Sequence, residues 1–245
     1  MSNTLPPPPT LKSLLAEGPV ALFLDFDGTL IEIAPSPDAI EVPVSLTHTL
    51  LALDRSLHGR LALVSGRAVE DLGRHLGELA IAVAGSHGAD RRLSNRSPLG
   101  KPPDPLPAAA RRALAAFAAA EEFPLEAKPH GAALHFRGRP ELEVRGARFA
   151  QKLAREHALL IKRGKAVFEL VRPGADKGAA VRAFMSVAPF REGRPVFVGD
   201  DVTDEDGFLA ARELGGFGTA VGERSSQEAN FALADIAAVH AWLHL

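Results

Sequence analysis

The chain has 245 residues, 46% of them hydrophobic and 24% charged, which suits one large domain or a domain carrying a smaller insert. A formal net charge of -2 gives no basic field for nucleic acid, and the lack of any cysteine excludes disulfides, thiolate metal sites and cysteine nucleophiles. No apolar stretch reaches membrane-spanning length, so neither a membrane nor a nucleic acid is expected as a partner.

The first residues, Met1 to Leu5 followed by Pro6 to Pro9, lack the basic start and apolar run of a signal peptide. Residues 1–18 therefore read as a flexible tail, and a cytoplasmic location is the default expectation. Val20 to Leu24 is apolar at every position, the pattern of a strand buried on both faces. Pro43 to Leu57 spaces its leucines as a helix does; Arg60 to Val64 is a second short strand, Gly66 to Leu76 a helix and Leu79 to Ala84 a third strand. Pro98 to Pro107 is rich in proline, as linkers are. Beyond it, Pro107 to Ala120 reads as a helix, Leu125 to Phe136 and Ala166 to Val171 as half-exposed strands, and Leu142 to His157 as a helix between them. A helix from Lys177 to about Ala188 and an apolar strand from Pro195 to Val198 return to the first pattern. Alternating buried strands and helices predict an α/β fold with a doubly wound, Rossmann-like parallel sheet. Its core spans 19–103 and 172–245, and a small α+β domain at 104–171 is inserted within it.

Four stretches carry chemistry. Asp25-Phe26-Asp27-Gly28-Thr29 follows the first strand, where open α/β sheets bind ligands. Two carboxylates there repel unless a cation or proton intervenes, and a carboxylate such as Asp25 can attack phosphorus to split one hard step into two. Ser65-Gly66-Arg67 ends the second strand and opens a helix, a place where amides and helix dipole favour phosphate, although Ser65 as a plain cap fits equally. Asp176-Lys177 begins another helix; Lys177 could neutralise nucleophile and phosphate, or sit in solvent beside a capping Asp176. Gly199-Asp200-Asp201-Val202-Thr203-Asp204-Glu205-Asp206 packs five carboxylates into seven positions, either a solvated acidic loop or a site for a hard cation, for which magnesium suits best.

Taken together, these stretches resemble the haloacid dehalogenase superfamily: a DxDGT motif, a Ser after the second strand, a Lys, and a late GDD loop. More narrowly, Val64 to Arg67, Gly85 to Gly88, Leu134 to Arg137, Glu169 to Pro173 and Gly199 to Asp206 are similar to the trehalose-6-phosphate phosphatase family. The departures are Phe136 and Ser86, neither in the reacting set. The resemblance implies a cofactor, Mg²⁺, held by Asp25, the Asp27 backbone carbonyl and Asp200, with Asp201 or Asp204 in support. It implies Asp25 as nucleophile, Asp27 as general acid and base, and Ser65, Gly66 and Lys177 around the phosphoryl group. It further implies that Arg67 and His87 contact a small sugar phosphate, and that Glu126, Lys128 and Glu169 bind the hydroxyls of trehalose. Glu126, Lys128 and His130 alternate along one expected strand and would share a face, with Pro129 favouring an edge. The implied reaction is hydrolysis of trehalose 6-phosphate through an aspartyl phosphate; the alternative is the same chemistry on another sugar phosphate, such as sucrose phosphate or mannosyl phosphoglycerate.

Overall fold

The computed structural model describes residues 5–33, 40–77, 79–101, 104–128, 130–164, 166–174 and 176–244. Its contacts divide the chain into two units, Met1–Lys101 with Asp176–Leu245, and Pro102–Ala175.

The larger unit holds α1 (Leu11–Glu17), β1 (Val20–Leu24), α2 (Val44–Ser56), β2 (Leu61–Val64), α3 (Val69–Leu76), β3 (Ala82–Gly85) and β4 (Asp90–Arg92). The smaller unit interrupts it with α4 (Ala108–Glu121), β5 (Leu125–Lys128), β6 (Gly131–His135), α5 (Glu143–His157), β7 (Leu160–Gly164) and β8 (Val167–Val171). The larger unit resumes with α6 (Lys177–Met185), β9 (Arg194–Gly199), α7 (Glu205–Glu213), β10 (Phe217–Val221), β11 (Phe231–Leu233) and α8 (Ile236–Leu243).

Seven strands form one sheet in the order β11-β10-β9-β1-β2-β3-β4, parallel throughout except where β4 meets β3. Successive residues of a strand face opposite sides, and β1 shows why its sequence had to be apolar throughout. Val20, Leu22 and Leu24 join a core with α1, α2, α3 and α8, whereas Ala21 and Phe23 join a second core with α6 and α7. The same division splits Leu61 and Leu63 from Ala62 and Val64 in β2, and Val196 and Val198 from Phe197 in β9. Phe197 meets the edge of Phe208 at a centroid distance of 5.7 Å, which ties the central sheet to α7.

The expected flexible tail at 1–18 is corrected over its second half. Thr10 caps α1 by accepting from the Ser13 amide at 3.1 Å, and Leu11 and Leu14, one turn apart, are buried. Pro9 accepts from the Trp242 indole at 2.8 Å, so this segment is fastened to α8. The proline run masked a capped, if short, amphipathic turn.

In the smaller unit an antiparallel sheet runs β5-β6-β8-β7, with α4 and α5 against its apolar face. The single strand expected over Leu125 to Phe136 is a hairpin, because the chain turns back between Lys128 and Gly131, which pair with each other. His130 lies in that turn, while Pro129 lies outside the described residues. The additional strand β7 was missed because Lys162 and Arg163 break its apolar pattern; it sits at a sheet edge, where charge is tolerated.

Replacing Phe197 with Ala removes a fully buried ring shared by β9 and α7. It should lower stability by about 3–5 kcal/mol, read as a shift in the urea unfolding midpoint.

Candidate active site

The parallel strands run outward from the centre in both directions, so the winding reverses between β1 and β9. Ligands of open α/β sheets bind at such a reversal, beyond the carboxyl ends of the strands. Asp25 follows β1 and Asp200 follows β9, and the Asp25 amide donates to Val198 O at 2.9 Å. The Asp25–Thr29 stretch and the acidic loop, far apart in sequence, thus become neighbours through the pairing of β1 with β9.

Lys177 enters from α6. Asp176 does cap that helix, accepting from the Ala179 amide at 2.6 Å, but Lys177 is not in solvent. It is 2% exposed, and Nζ donates to Asp25 Oδ1 at 2.6 Å and to Asp204 Oδ1 at 2.5 Å. Burial alone would lower the lysine pKa, but the charges of Asp204 and Asp25 overcome this and raise it, which favours the ammonium form. Asp25 is held the other way. Burial pushes its carboxyl well above the usual range; Lys177 pulls it down, while Asp204 and Asp200 push it further up.

Carboxylate oxygens of Asp25, Asp200 and Asp204 lie within 4.8 Å of one another. One lysine does not balance three such groups, and an all-oxygen set with excess negative charge fits a hard divalent cation. Asp204 Oδ1 accepts from Lys177 and its Oδ2 from the Asp201 amide at 2.8 Å. The Asp201 side chain accepts the reciprocal bond that caps the short turn Val202–Asp204. Two glycines make the crowding possible: a Cβ at Gly28 would overlap the Asp200 carboxylate, and one at Gly199 would overlap that of Asp204.

Asp27 lies beside this cluster and is paired elsewhere. Both its oxygens accept from Arg67, from Nε and Nη2, each at 2.7 Å, and Arg67 Nη1 donates to Asp71 at 2.7 Å. Arg67, expected as a substrate contact, pairs with Asp27 in this structure. Ser65, 1% exposed, accepts the Arg67 amide on Oγ at 3.1 Å, leaving its hydroxyl hydrogen for another acceptor. The loop from Ser86 to Gly88 closes over this turn. The His87 amide donates to Ser65 O at 2.9 Å and the Ser86 amide to Arg67 O at 2.7 Å. The His87 ring lies against Gly66, where a Cβ would come within 2.7 Å of it. Ser86 and His87 both take positive φ, 49° and 56°, a strained pairing of the kind concentrated at functional loops.

In the smaller unit the sheet pairing aligns Glu126 with Ala133, Ala133 with Glu169, and Glu169 with Lys162, so these residues share a face. Lys128, two residues from Glu126, shares it too, and its Nζ lies 3.0 Å from Glu169 and 4.0 Å from Glu126. His135 meets Glu126 at 2.9 Å. That hydrogen bond is the main cause of the lowered Glu126 pKa, opposed by burial and aided by Lys128. The structure replaces His130 with His135 as the histidine on this face. Glu169 is 4% exposed, unusual for a lone acid in an apolar run, and its pairing with Lys128 accounts for it.

The profile of the Trehalose-phosphatase family matches residues 23–236. The chain belongs to the trehalose-phosphatase family. It is 36% identical over 231 residues to the trehalose-6-phosphate phosphatase of Escherichia coli K12, covering 92% of this chain and 85% of that one. It is 36% identical over 215 residues to a probable trehalose-phosphate phosphatase of Sinorhizobium fredii NGR234, covering 82% and 77%. A solved structure of a trehalose-6-phosphate phosphatase related protein superposes with a TM-score of 0.72 at 26% identity, covering 91% of this chain and 95% of that one. Membership makes the chain a phosphoric monoester hydrolase, and the α/β fold expected from the sequence is the fold of these relatives. Among the described residues no helix is long and apolar enough to cross a membrane.

Lys177→Met removes the ammonium that pairs with two buried carboxylates, Asp25 and Asp204. Such a loss should destabilise the protein by about 3–5 kcal/mol, measured by urea unfolding without divalent cations.

Proposed function

We propose that this chain hydrolyses trehalose 6-phosphate to trehalose and phosphate, with Asp25 as nucleophile and Mg²⁺ as cofactor. The observation that carries the chemistry is the buried Asp25–Lys177–Asp204 chain with Asp200 alongside. Family membership, with the charged face of Glu126, Lys128 and Glu169, supports the choice of sugar.

Asp25, Asp200 and the Asp27 backbone carbonyl would hold Mg²⁺, which when bound offsets the negative charge gathered by carboxylates and phosphoryl oxygens. The rest falls to protein groups. Lys177 occupies Asp25 Oδ1, while among the described residues Oδ2 has a long contact from the Thr29 hydroxyl at 3.4 Å. Oδ2 is therefore the oxygen that attacks phosphorus. An Oδ2–P bond forms as the P–O bond to the sugar breaks, and Asp27 delivers a proton to the departing sugar oxygen. The Asp27–Arg67 pair has to open for that transfer, since both Asp27 oxygens are taken in the structure. In the second half Asp27 removes a proton from water, the water oxygen bonds to phosphorus, and the Asp25 carboxylate is the leaving group. The Ser65 hydroxyl and the Gly66 turn bind phosphoryl oxygens, and Lys177 keeps the approaching anions tolerable. His87 packs the turn from which Ser65 projects. Glu126, Lys128 and Glu169 hydrogen-bond the sugar hydroxyls.

A panel of phosphate esters with and without Mg²⁺ tests this. Phosphate should be released from trehalose 6-phosphate far faster than from glucose 6-phosphate or sucrose phosphate, and only with the metal. Equal rates across the panel would refute the substrate assignment, and Asp25→Asn should abolish turnover on every ester. For the sugar face, Glu169→Gln should raise KM for trehalose 6-phosphate by about tenfold, since a hydrogen bond involving a charged group contributes roughly 1.5–3 kcal/mol. The KM for p-nitrophenyl phosphate, which has no sugar, should stay unchanged.

A further inference from the structure

Glu205 and Arg224 form a second ionic cluster, in the larger unit, that no step above uses. Glu205 opens α7, and Arg224 lies in the loop after β10. The Glu205 carboxylate accepts from Arg224 Nη2 at 2.7 Å, from the Ser226 hydroxyl at 2.9 Å, and from the amides of Gln227 and Glu228 at 3.3 and 3.0 Å. This acid is thus committed to the loop at 224–228, and it does not join Asp25, Asp200 and Asp204. Arg224 in turn holds the acidic loop by its backbone. Its Nε donates to Asp200 O at 3.0 Å and its Nη2 to Asp201 O at 3.1 Å, while Nη1 donates to Ser225 O at 3.0 Å.

The Asp200 side chain, meanwhile, lies against Gly28, with no space for a Cβ between them. Asp200 is therefore fixed at two points: its carbonyl by a guanidinium whose own position Glu205 sets, and its carboxylate by the Gly28 backbone. The carbonyls of Asp200 and Asp201 point to the guanidinium, which directs the intervening peptide and hence the Cα–Cβ bond of Asp200. The side chains of both Arg224 and Glu205 are substantially buried, 29% and 19% exposed, so the pair is shielded from the full solvent screening of a surface bridge.

We propose that Arg224, anchored by Glu205, is a positioning residue that sets the Asp200 carboxylate for the divalent cation. Groups that orient a ligand in this way affect metal affinity, typically by about 10–100-fold when removed. Lysine is a poor substitute, because a single ammonium cannot span two carbonyls and a carboxylate in the fixed fork of a guanidinium. The inference rests on the metal reading above.

Its test is calorimetric titration of Mg²⁺ into the substrate-free protein, wild type against Arg224→Ala, Arg224→Lys and Glu205→Gln. The expected result is binding weakened about tenfold or more in Arg224→Ala, and weakened in the same direction in the other two. In steady state the variants should require more Mg²⁺ but recover kcat once it saturates, with KM for the ester unchanged. Unchanged Mg²⁺ affinity in folded Arg224→Ala, or in Arg224→Lys if the alanine variant does not fold, overturns the proposal and leaves the metal reading intact. A wild-type protein that takes up no Mg²⁺ overturns the metal reading itself, and this inference with it. A fall in kcat that saturating Mg²⁺ does not restore also counts against the proposal, since it assigns Arg224 a part in the chemistry.

Discussion

Lys177 between Asp25 and Asp204 is the interaction on which the rest of the structure depends. A buried ammonium is costly unless it is paired, and buried carboxylates are costly in the same way. Each member of this chain is tolerable only because the others are present. Asp204 holds Lys177 on one oxygen and the Asp201 amide on the other. Lys177, so held, presents Nζ to Oδ1 of Asp25. Asp25 follows β1, Lys177 opens α6 and Asp204 immediately precedes α7, so the three would lie far from one another in an unfolded chain.

The sheet supplies this meeting. Parallel pairing of β1 with both β2 and β9 places the motif-bearing ends side by side at the point where the winding reverses. Glycine then allows the approach: Gly28 admits Asp200, Gly199 admits Asp204 and Gly66 admits His87. Burial raises the Asp25 carboxyl, with Asp204 and Asp200 adding to it against Lys177, and the negative charge that remains once Lys177 is paired fits the site to a hard cation. In the smaller unit, Glu126, Lys128 and Glu169 share one sheet face, and the opposite face packs a core of its own.

How much of this was legible in the sequence depended on distance along the chain. The apolar run before Asp25 revealed a central strand because such a strand must bury both faces, and the same logic located β2 and β9. Asp25, Ser65, Lys177 and Asp200 stood out because each followed a strand or opened a helix. What stayed hidden were choices settled by partners far away in sequence. Nothing in the acidic run itself distinguishes Asp204 from Asp201; the difference is which of them Lys177 reaches. The pairing of Arg67 with Asp27, forty residues earlier, likewise has no local trace. Arg224 carried no signal at all, sitting in a polar loop beyond the last recognised motif. Short elements failed for another reason: α1 and β7 are small enough that a proline run or two basic residues erased their pattern.

The central claim is that Asp25, with its charge offset, becomes phosphorylated. It is tested most directly by mixing the protein with trehalose 6-phosphate and Mg²⁺, quenching with acid within the first turnover, and mapping the phosphorylated peptide. The account predicts a phosphoryl group on Asp25 that appears only with the metal and is absent in Asp25→Asn. First-turnover phosphate formed with Asp25 unmodified, or a phosphoryl group on any other residue, would contradict it.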